Sequence, residues 1–236
     1  MSFDEKLKII KIINETYDVK TFRLEKKNID FVPGQYILVY LPFDDTKDED
    51  RPFTFSSSPL KEYIEITVKK FGKITTIMHE RLKVGEYLRL KGPFGESLNF
   101  DDSKDDIVFI AGGSGITPFK SIIDYIIDKK LKNKVFLFFS NRTEKDIIYR
   151  EYLDKINKNN IKIINTLTNE NWKGETGFIN KELILKYIKN PKNYLYYICG
   201  PPGMVIAMKD MLKELGISES KLRIEDWQLP GKHDEE

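Results

Sequence analysis

Three short segments of the sequence carry residue types whose spacing suits the binding of nucleotide phosphates. The first is a glycine turn, Gly112-Gly113-Ser114-Gly115, which follows an apolar run and precedes Pro118. Glycines remove the Cβ atoms that would block a ligand's approach to the backbone. A helix that starts after the turn would direct free N–H groups at the same point. Because Pro118 stands where the last glycine of G-x-G-x-x-G would be, a turn that only packs a helix on a strand remains the alternative.

The second and third segments lie earlier in the chain. Arg51-Pro52-Phe53-Thr54 places an arginine, an aromatic ring and a hydroxyl within four residues, which suits a ligand that has a phosphate, a flat ring and acceptor atoms. The alternative is an edge-strand arginine before an ordinary serine-rich turn. In residues 72–76 another glycine turn precedes a predicted helix and forms a second possible phosphate site. Phosphate-type features in both halves of the chain suggest two nucleotide ligands.

The elements that must position these segments differ between the two halves. Residues 1–100 have the short strands and turns of a small antiparallel barrel or sandwich, with strands predicted at 19–25, 35–41, 63–68 and 87–91. In 63–68 apolar and polar side chains alternate, which is typical of a half-buried strand and puts Glu65 and Thr67 on the polar face. Segment 51–59 is expected to connect two strands, and a short helix is expected from Thr75 to Leu82.

After a polar joint at 101–106 the strands become continuous apolar runs, at 107–111, 135–139, 161–167 and 194–198. Helical patterns lie between and after them, at 117–130, 143–157, 180–189 and 203–215. Alternating strands and helices predict a parallel sheet with helices on both sides. We therefore predict a β-barrel domain over 1–100 and a nucleotide-type α/β domain over 101–236.

Composition excludes several classes of function. The 236 residues include 39 Lys+Arg and 37 Asp+Glu, a net charge of +2 that gives no reason to expect nucleic acid. A single cysteine, Cys199, excludes internal disulfides and a four-cysteine cluster carried by this chain alone. With two histidines, a hydrolase built on a histidine base has little support, and we predict no metal site. Charged N-terminal residues and the lack of a long apolar run predict a cytoplasmic protein without a membrane span.

Taken together, four ordered segments resemble the signatures of the ferredoxin–NADP reductase superfamily. They are Arg51-Pro52-Phe53-Thr54, Gly72-Lys73-Ile74-Thr75, Gly112-Gly113-Ser114-Gly115-Ile116-Thr117-Pro118 and Cys199-Gly200-Pro201-Pro202-Gly203-Met204. The resemblance extends from about residue 5 to Trp227. It implies a first domain, an antiparallel barrel, that holds FAD or FMN, and a second domain that binds NADH or NADPH. FAD is favoured over FMN on general resemblance.

The resemblance also assigns flavin contacts by position. Arg51 would bind the flavin phosphate, Phe53 would lie against the isoalloxazine ring, and Thr54 would bond near the redox nitrogen. The family's usual tyrosine is Phe53 here, which keeps the ring and lacks the hydroxyl. The full flavin-binding set is Arg51, Pro52, Phe53, Thr54, Val68, Lys69, Gly72, Lys73, Thr75 and Trp227.

For the nicotinamide nucleotide the implied set lies in the second half: Gly113, Gly115, Thr117, Asn141, Arg142, Asp146, Gly200, Pro201 and Met204. Thr54, Cys199 and Glu225 are implied to act at the reacting rings. Arg142 could pair with the 2′-phosphate of NADPH. Residues 141–146 look most similar to NADH-using cytochrome reductases of the superfamily, so NADH is favoured.

The resemblance implies an NAD(P)H-dependent flavoprotein reductase that passes electrons to a separate iron–sulfur or haem protein. One alternative is a flavin reductase, for which free flavin is a substrate. A second alternative is a non-catalytic subunit that binds nucleotide within a redox complex, and the intact signature residues argue against it.

Overall fold

The computed structural model describes residues 2–46 and 49–225, which form two compact units. The first unit comprises the chain up to Ser103 together with Thr117–Lys132 and Lys145–Tyr152. The second comprises Lys104–Ile116, Asn133–Glu144 and the described residues from Leu153 onward. One unit is built on an antiparallel sheet and the other on a parallel sheet, and the predicted fold class is confirmed.

The first unit contains a six-stranded antiparallel sheet in the order β4-β3-β6-β1-β2-β5. The strands are β1 (Phe3–Asn14), β2 (Val19–Glu25), β3 (Tyr36–Tyr40), β4 (Asp50–Thr54), β5 (Tyr63–Lys69) and β6 (Tyr87–Phe94). A bridge from Phe55, just after β4, to Ile66 of β5 joins the two end strands. The barrel interior is filled by buried apolar side chains from every strand except β4, including Leu7, Phe22, Ile37, Ile66 and Leu90. Helices α1 (Gly72–Arg81) and α2 (Thr117–Asp128) belong to this unit.

Several sequence predictions for this unit are wrong in detail. Residues 50–54 form a strand paired with β3 and are not a connection. Helix α1 begins at Gly72, three residues before the predicted start, and β6 continues through Gly92-Pro93 to Phe94. The polar face of β5 is also misjudged, since Glu65 is 3% and Thr67 is 5% exposed. Side chains from distant parts of the same unit cover that face.

The second unit contains a six-stranded parallel sheet in the order β10-β9-β8-β7-β11-β12. Its strands are β7 (Asp106–Gly112), β8 (Val135–Asn141), β9 (Ile161–Leu167), β10 (Glu175–Thr176), β11 (Tyr194–Cys199) and β12 (Leu222–Ile224). From β7 the chain builds the sheet outward through β8 and β9, and β11 then adds on the opposite side of β7. The strand order therefore reverses between β7 and β11. In open α/β sheets, ligands bind beyond the carboxyl ends of the strands at such a reversal.

The remaining helices are α3 (Arg150–Ile156), α4 (Lys181–Tyr187) and α5 (Pro202–Glu214). Helix α3 is much shorter than the predicted 143–157, because Glu144–Asp146 form a separate 3-10 turn. The short edge strands β10 and β12 were not predicted, since two or three residues carry no detectable periodicity. None of the helices in the described part of the chain has the length and apolar character needed to cross a bilayer.

Candidate functional site

The glycine turn lies at the carboxyl end of β7, beside the carboxyl end of β11. Ala111 and Cys199 are paired residues of these two strands. A Cβ on Gly115 would lie 2.2 Å from the carbonyl oxygen of Cys199, and one on Gly112 would lie 2.8 Å from the Met204 sulfur. These two glycines are therefore needed for close packing against the turn that starts at Cys199.

Gly113 differs from its neighbours in the same turn. Its φ is +52°, and a Cβ built on it would meet no atom within 4 Å. The side of the turn that carries Gly113 is thus open, at the reversal point of the strand order. This open glycine fits the approach of a pyrophosphate to the backbone. Met204, also predicted to bind cofactor, packs against Gly112 and Gly200.

Cys199 and Glu225, both predicted to act at the reacting rings, are in contact. The thiol donates to Oε2 of Glu225 at 3.0 Å, and Cys199 is 9% exposed. Burial, reinforced by the Glu225 carboxylate, raises the pKa of the Cys199 thiol well above its usual range. The cysteine is therefore a neutral hydrogen-bond donor and not a thiolate nucleophile. Trp227 lies outside the described residues.

The carboxyl end of β8 carries a buried amide without hydrogen bonds. Both Oδ1 and Nδ2 of Asn141 lack a partner although the residue is 5% exposed. Buried amides are almost always bonded in native proteins, so an unpaired one at a strand end fits a site where a ligand supplies the partners. Arg142 follows it on the surface, and its carbonyl accepts from the N–H of Asn169 at 2.9 Å.

The neighbouring segment after β9 carries an acidic side chain that the sequence analysis did not single out. Oε2 of Glu170 accepts from the backbone N–H of Glu144 at 2.8 Å, which holds Glu170 against the segment after β8. Thr168 donates its N–H to the carbonyl of Asn141 at 3.0 Å. The predicted adenine-ribose region is therefore lined by one arginine and by a fixed carboxylate. Asp146, predicted to lie there too, accepts from the Tyr17 hydroxyl within the first unit.

In the first unit, two predicted phosphate ligands converge on one carboxylate. Arg51 lies 3.5 Å from Oε2 of Glu49, and the Lys73 ammonium lies 2.7 Å from its Oε1. Both cations are substantially exposed, and Glu49 occupies the position of an anion between them. Two cations that already bind one oxyanion group fit a phosphate.

The start of α1 adjoins this pair of cations through Lys73. Gly72 has a φ of +75°, and a Cβ on it would meet nothing within 4 Å. The residue before it, Phe71, offers no side-chain cap to the helix, so no capping side chain competes with a phosphate for the N–H groups of the first turn. Thr75, predicted to contact the ligand, donates from Oγ1 to the carbonyl of Phe71 at 2.5 Å.

The other predicted flavin ligands differ in accessibility. Pro52 is exposed, and Phe53 and Thr54 are half-buried near the end of β4. Val68 is wholly buried in the barrel core, so its side chain cannot face a ligand, and its carbonyl lies 2.8 Å from Nε2 of His79. Lys69 is paired with Asp18 at 3.2 Å. Its ammonium would have to leave that carboxylate to reach a phosphate.

The predicted residues Gly200 and Pro201 form the turn after β11, and Thr117 begins α2 and is 7% exposed. Sequence reasoning missed a buried lysine near that start, Lys120, which is 8% exposed. The available signal was its i, i+4 spacing to Asp124 within a helix that also carries an apolar stripe.

Two family models match the sequence. One, described as an oxidoreductase FAD-binding domain, matches residues 6–98, and the other, an oxidoreductase NAD-binding domain, matches residues 109–210. Over 216 residues the chain is 34% identical to NADH-cytochrome b5 reductase 2 of Debaryomyces hansenii, a match that covers 86% of this chain and 72% of the relative.

A second relative is a component of the Na(+)-translocating NADH-quinone reductase of Actinobacillus pleuropneumoniae serotype 5b (strain L20). It is 35% identical over 156 residues, which cover 62% of this chain and 38% of that protein. The chain thus spans well under half the length of this relative.

Among solved structures, the fold is similar to the flavohem-like FAD/NAD-binding domain of nitric oxide dioxygenase from Vibrio cholerae O1 biovar El Tor. The TM-score is 0.85 at 20% identity, with 93% of this chain and 97% of that one covered. At 20% identity, this similarity is evidence for a shared fold only.

Proposed function

The chain belongs to the ferredoxin–NADP reductase superfamily, and from this premise we propose that it is an FAD-dependent oxidoreductase that uses NADH or NADPH. When bound, the flavin supplies the redox chemistry, accepting a hydride from the nicotinamide and releasing electrons to an acceptor. The chain's own residues bind and orient the two nucleotides.

One observation carries the proposal: each unit holds an open glycine turn beside groups that suit a phosphate. In the first unit the turn is at Gly72, with Lys73 and Arg51 on either side of an oxyanion. In the second unit the turn is at Gly113, at the reversal of the strand order. Two phosphate sites support two nucleotides, as hydride transfer between cofactors requires.

The proposed roles follow from position and charge. Arg51 and Lys73 would bind the flavin phosphate, which would replace the Glu49 carboxylate between them, and Phe53 and Thr54 would contact the flavin ring. In the second unit, Gly113 receives the pyrophosphate of the nicotinamide nucleotide. Neutral Cys199, oriented by Glu225, limits the nicotinamide's approach without forming a bond to it.

NADH is the proposed donor. Fixed at the segment after β8, Glu170 would repel the 2′-phosphate of NADPH, whereas a carboxylate can accept a hydrogen bond from the 2′-hydroxyl of NADH. Arg142 has the opposite effect, because its positive charge would attract the 2′-phosphate of NADPH. The names of both relatives given above specify NADH, which agrees with this choice.

The proposed acceptor is a separate protein that holds an iron–sulfur centre or a haem. The single cysteine of the sequence cannot supply the four thiolates of a cysteine-ligated cluster, which favours an acceptor centre outside residues 1–236. The similarity to a cytochrome b5 reductase and to a component of a quinone reductase supports transfer to a partner.

The test is the colour and activity of the purified protein after gel filtration. A yellow protein whose flavin is bleached by NADH under anaerobic conditions supports the proposal. Colourless protein that oxidises NADH only with added flavin identifies a flavin reductase. If neither NADH nor NADPH is oxidised with any flavin or acceptor, the proposal is wrong.

A further inference from the structure

Among the described residues, Lys120 is a deeply buried cation that makes none of the proposed nucleotide contacts. It lies on α2, and its Nζ donates to Oδ2 of Asp124 at 2.9 Å, the carbonyl of Ser56 at 3.0 Å and Oε2 of Glu65 at 3.3 Å. The three protons of an ammonium thus meet three acceptors. Burial alone would lower the pKa of Lys120, but the carboxylates of Asp124 and Glu65 outweigh burial and raise it. The lysine is therefore charged.

The next residue of α2 makes a parallel contact. Ser121 is wholly buried, and its Oγ donates to the carbonyl of Ser57 at 2.7 Å. Consecutive side chains of one helix therefore hold consecutive main-chain carbonyls of the segment after β4. We call this pair of contacts the Lys120–Ser121 clamp.

The clamped segment is otherwise held by the barrel. The Phe55 ring stacks on Phe31 with centroids 3.8 Å apart, and the Ser56 N–H donates to the carbonyl of Glu65 at 2.8 Å. In return the N–H of Glu65 donates to Oγ of Ser57 at 3.0 Å. Residues 55–57 are thus fixed on two sides, directly after the proposed flavin ligands at the end of β4.

The carboxylates around the clamp have partners of their own. Arg23 bonds Oε1 of Glu65 at 2.8 Å, and the Tyr152 hydroxyl donates to Oδ1 of Asp124 at 2.6 Å. A buried ion pair can often be replaced by apolar side chains without loss of stability. Charge pairing alone therefore does not explain why Lys120 also bonds the main-chain carbonyl of Ser56. Nor does it explain why Ser121 bonds the carbonyl of Ser57.

We propose that the Lys120–Ser121 clamp positions the flavin-binding segment 51–57, with Lys120 and Ser121 as positioning residues for hydride transfer. The inference rests on the proposed function, and it adds that the orientation of Phe53 and Thr54 is set by side chains of α2. Small displacements of a reacting ring are costly in rate. The clamp would thus affect the rate of flavin reduction more than the affinity for NADH.

The decisive variant is Lys120→Met combined with Asp124→Asn. It removes one charge of each sign, leaves Glu65 paired with Arg23, and keeps an acceptor for Tyr152. The control is Lys61→Met, which breaks the 2.6 Å pair of Lys61 with Asp128. The Lys61–Asp128 pair also joins α2 to the barrel, but Lys61 lies after residues 55–57 in the sequence and does not contact them through this pair.

Three measurements are compared with wild type: the flavin Kd, the limiting rate of flavin reduction with its NADH dependence, and amide hydrogen exchange at Phe55 and Ser56 in flavin-free protein. In the double variant we expect the limiting rate to fall about tenfold to hundredfold, with the apparent NADH affinity little changed. Exchange at the two amides should accelerate at least about tenfold, which corresponds to one lost anchoring contact. The control should match wild type in all three.

A folded double variant with the wild-type limiting rate and wild-type exchange would overturn the proposal. If the double variant does not fold, Ser121→Ala decides, because it removes one hydroxyl and should weaken flavin binding about twofold to tenfold. Unchanged flavin binding and unchanged exchange in Ser121→Ala would also overturn the proposal. Wild-type protein that never binds flavin would refute the proposed function instead, and the exchange measurement would still test the clamp.

Discussion

Replacing Gly113 by alanine separates the binding role of the glycine turn from its structural role. A Cβ at Gly113 would meet no atom within 4 Å, whereas one at Gly115 would lie 2.2 Å from the Cys199 carbonyl oxygen. Gly115→Ala should therefore damage the fold of the second unit. Gly113→Ala should leave the fold intact and place a methyl group where the pyrophosphate is proposed to approach.

Two free energies change in Gly113→Ala, and the structure gives the scale of each. At a φ of +52° an alanine is strained by about 1–2 kcal/mol. For a chain of this size that lowers the Tm by about 2–8 °C. Displacing one charge-assisted phosphate contact costs about 1.5–3 kcal/mol, so we expect NADH to bind about tenfold to hundredfold more weakly.

The chain offers a matched control for the strain. Gly177 lies in the same unit, has a φ of +88°, and has nothing within 4 Å of a built Cβ. Gly177→Ala should lower the free energy of unfolding by a similar amount and leave the NADH Kd unchanged. Thermal unfolding gives the first quantity, and the dependence of the stopped-flow rate of flavin reduction on NADH concentration gives the second as an apparent Kd. Equal NADH affinities in the two variants would refute the proposed role of Gly113.

Arg51→Ala removes one charge-assisted contact and should weaken flavin binding about tenfold to hundredfold. Glu49→Ala removes a competing anion and should strengthen flavin binding. An unchanged flavin Kd in Arg51→Ala would contradict the assignment of Arg51 as a phosphate ligand. Arg142, in the segment after β8, is opposed by Glu170, which is bonded to that segment from the loop after β9. NADH should therefore be used at least as well as NADPH. A kcat/KM ratio that favours NADPH by more than about a hundredfold, or about 2.7 kcal/mol, would contradict this role of Glu170. Cys199→Ala should lower the limiting rate of flavin reduction more than it weakens NADH binding. Stopped-flow reduction measures the two effects separately. If only the NADH affinity falls, Cys199 is a packing or binding residue.

The sequence by itself determined the features that depend on neighbouring residues. The apolar run at 107–111 predicted the centre of β7, and the predicted strands at 19–25 and 161–167 have the bounds of β2 and β9. Side-chain periodicity reflects local burial and can be read in a short window. The glycine turn was likewise visible, because a turn without Cβ atoms has a compositional signal of its own.

Tertiary structure alone decided which glycine is open, which polar face is buried and which side chains converge. Gly113 and Gly115 look alike in the sequence, and only contact with the Cys199 turn distinguishes them. Glu65 was predicted on a polar face, yet it is buried because Lys120, 55 residues away, bonds it. Whether a polar side chain is solvated depends on which distant segment covers it, and that coverage is set by the packing of whole elements and not by local periodicity.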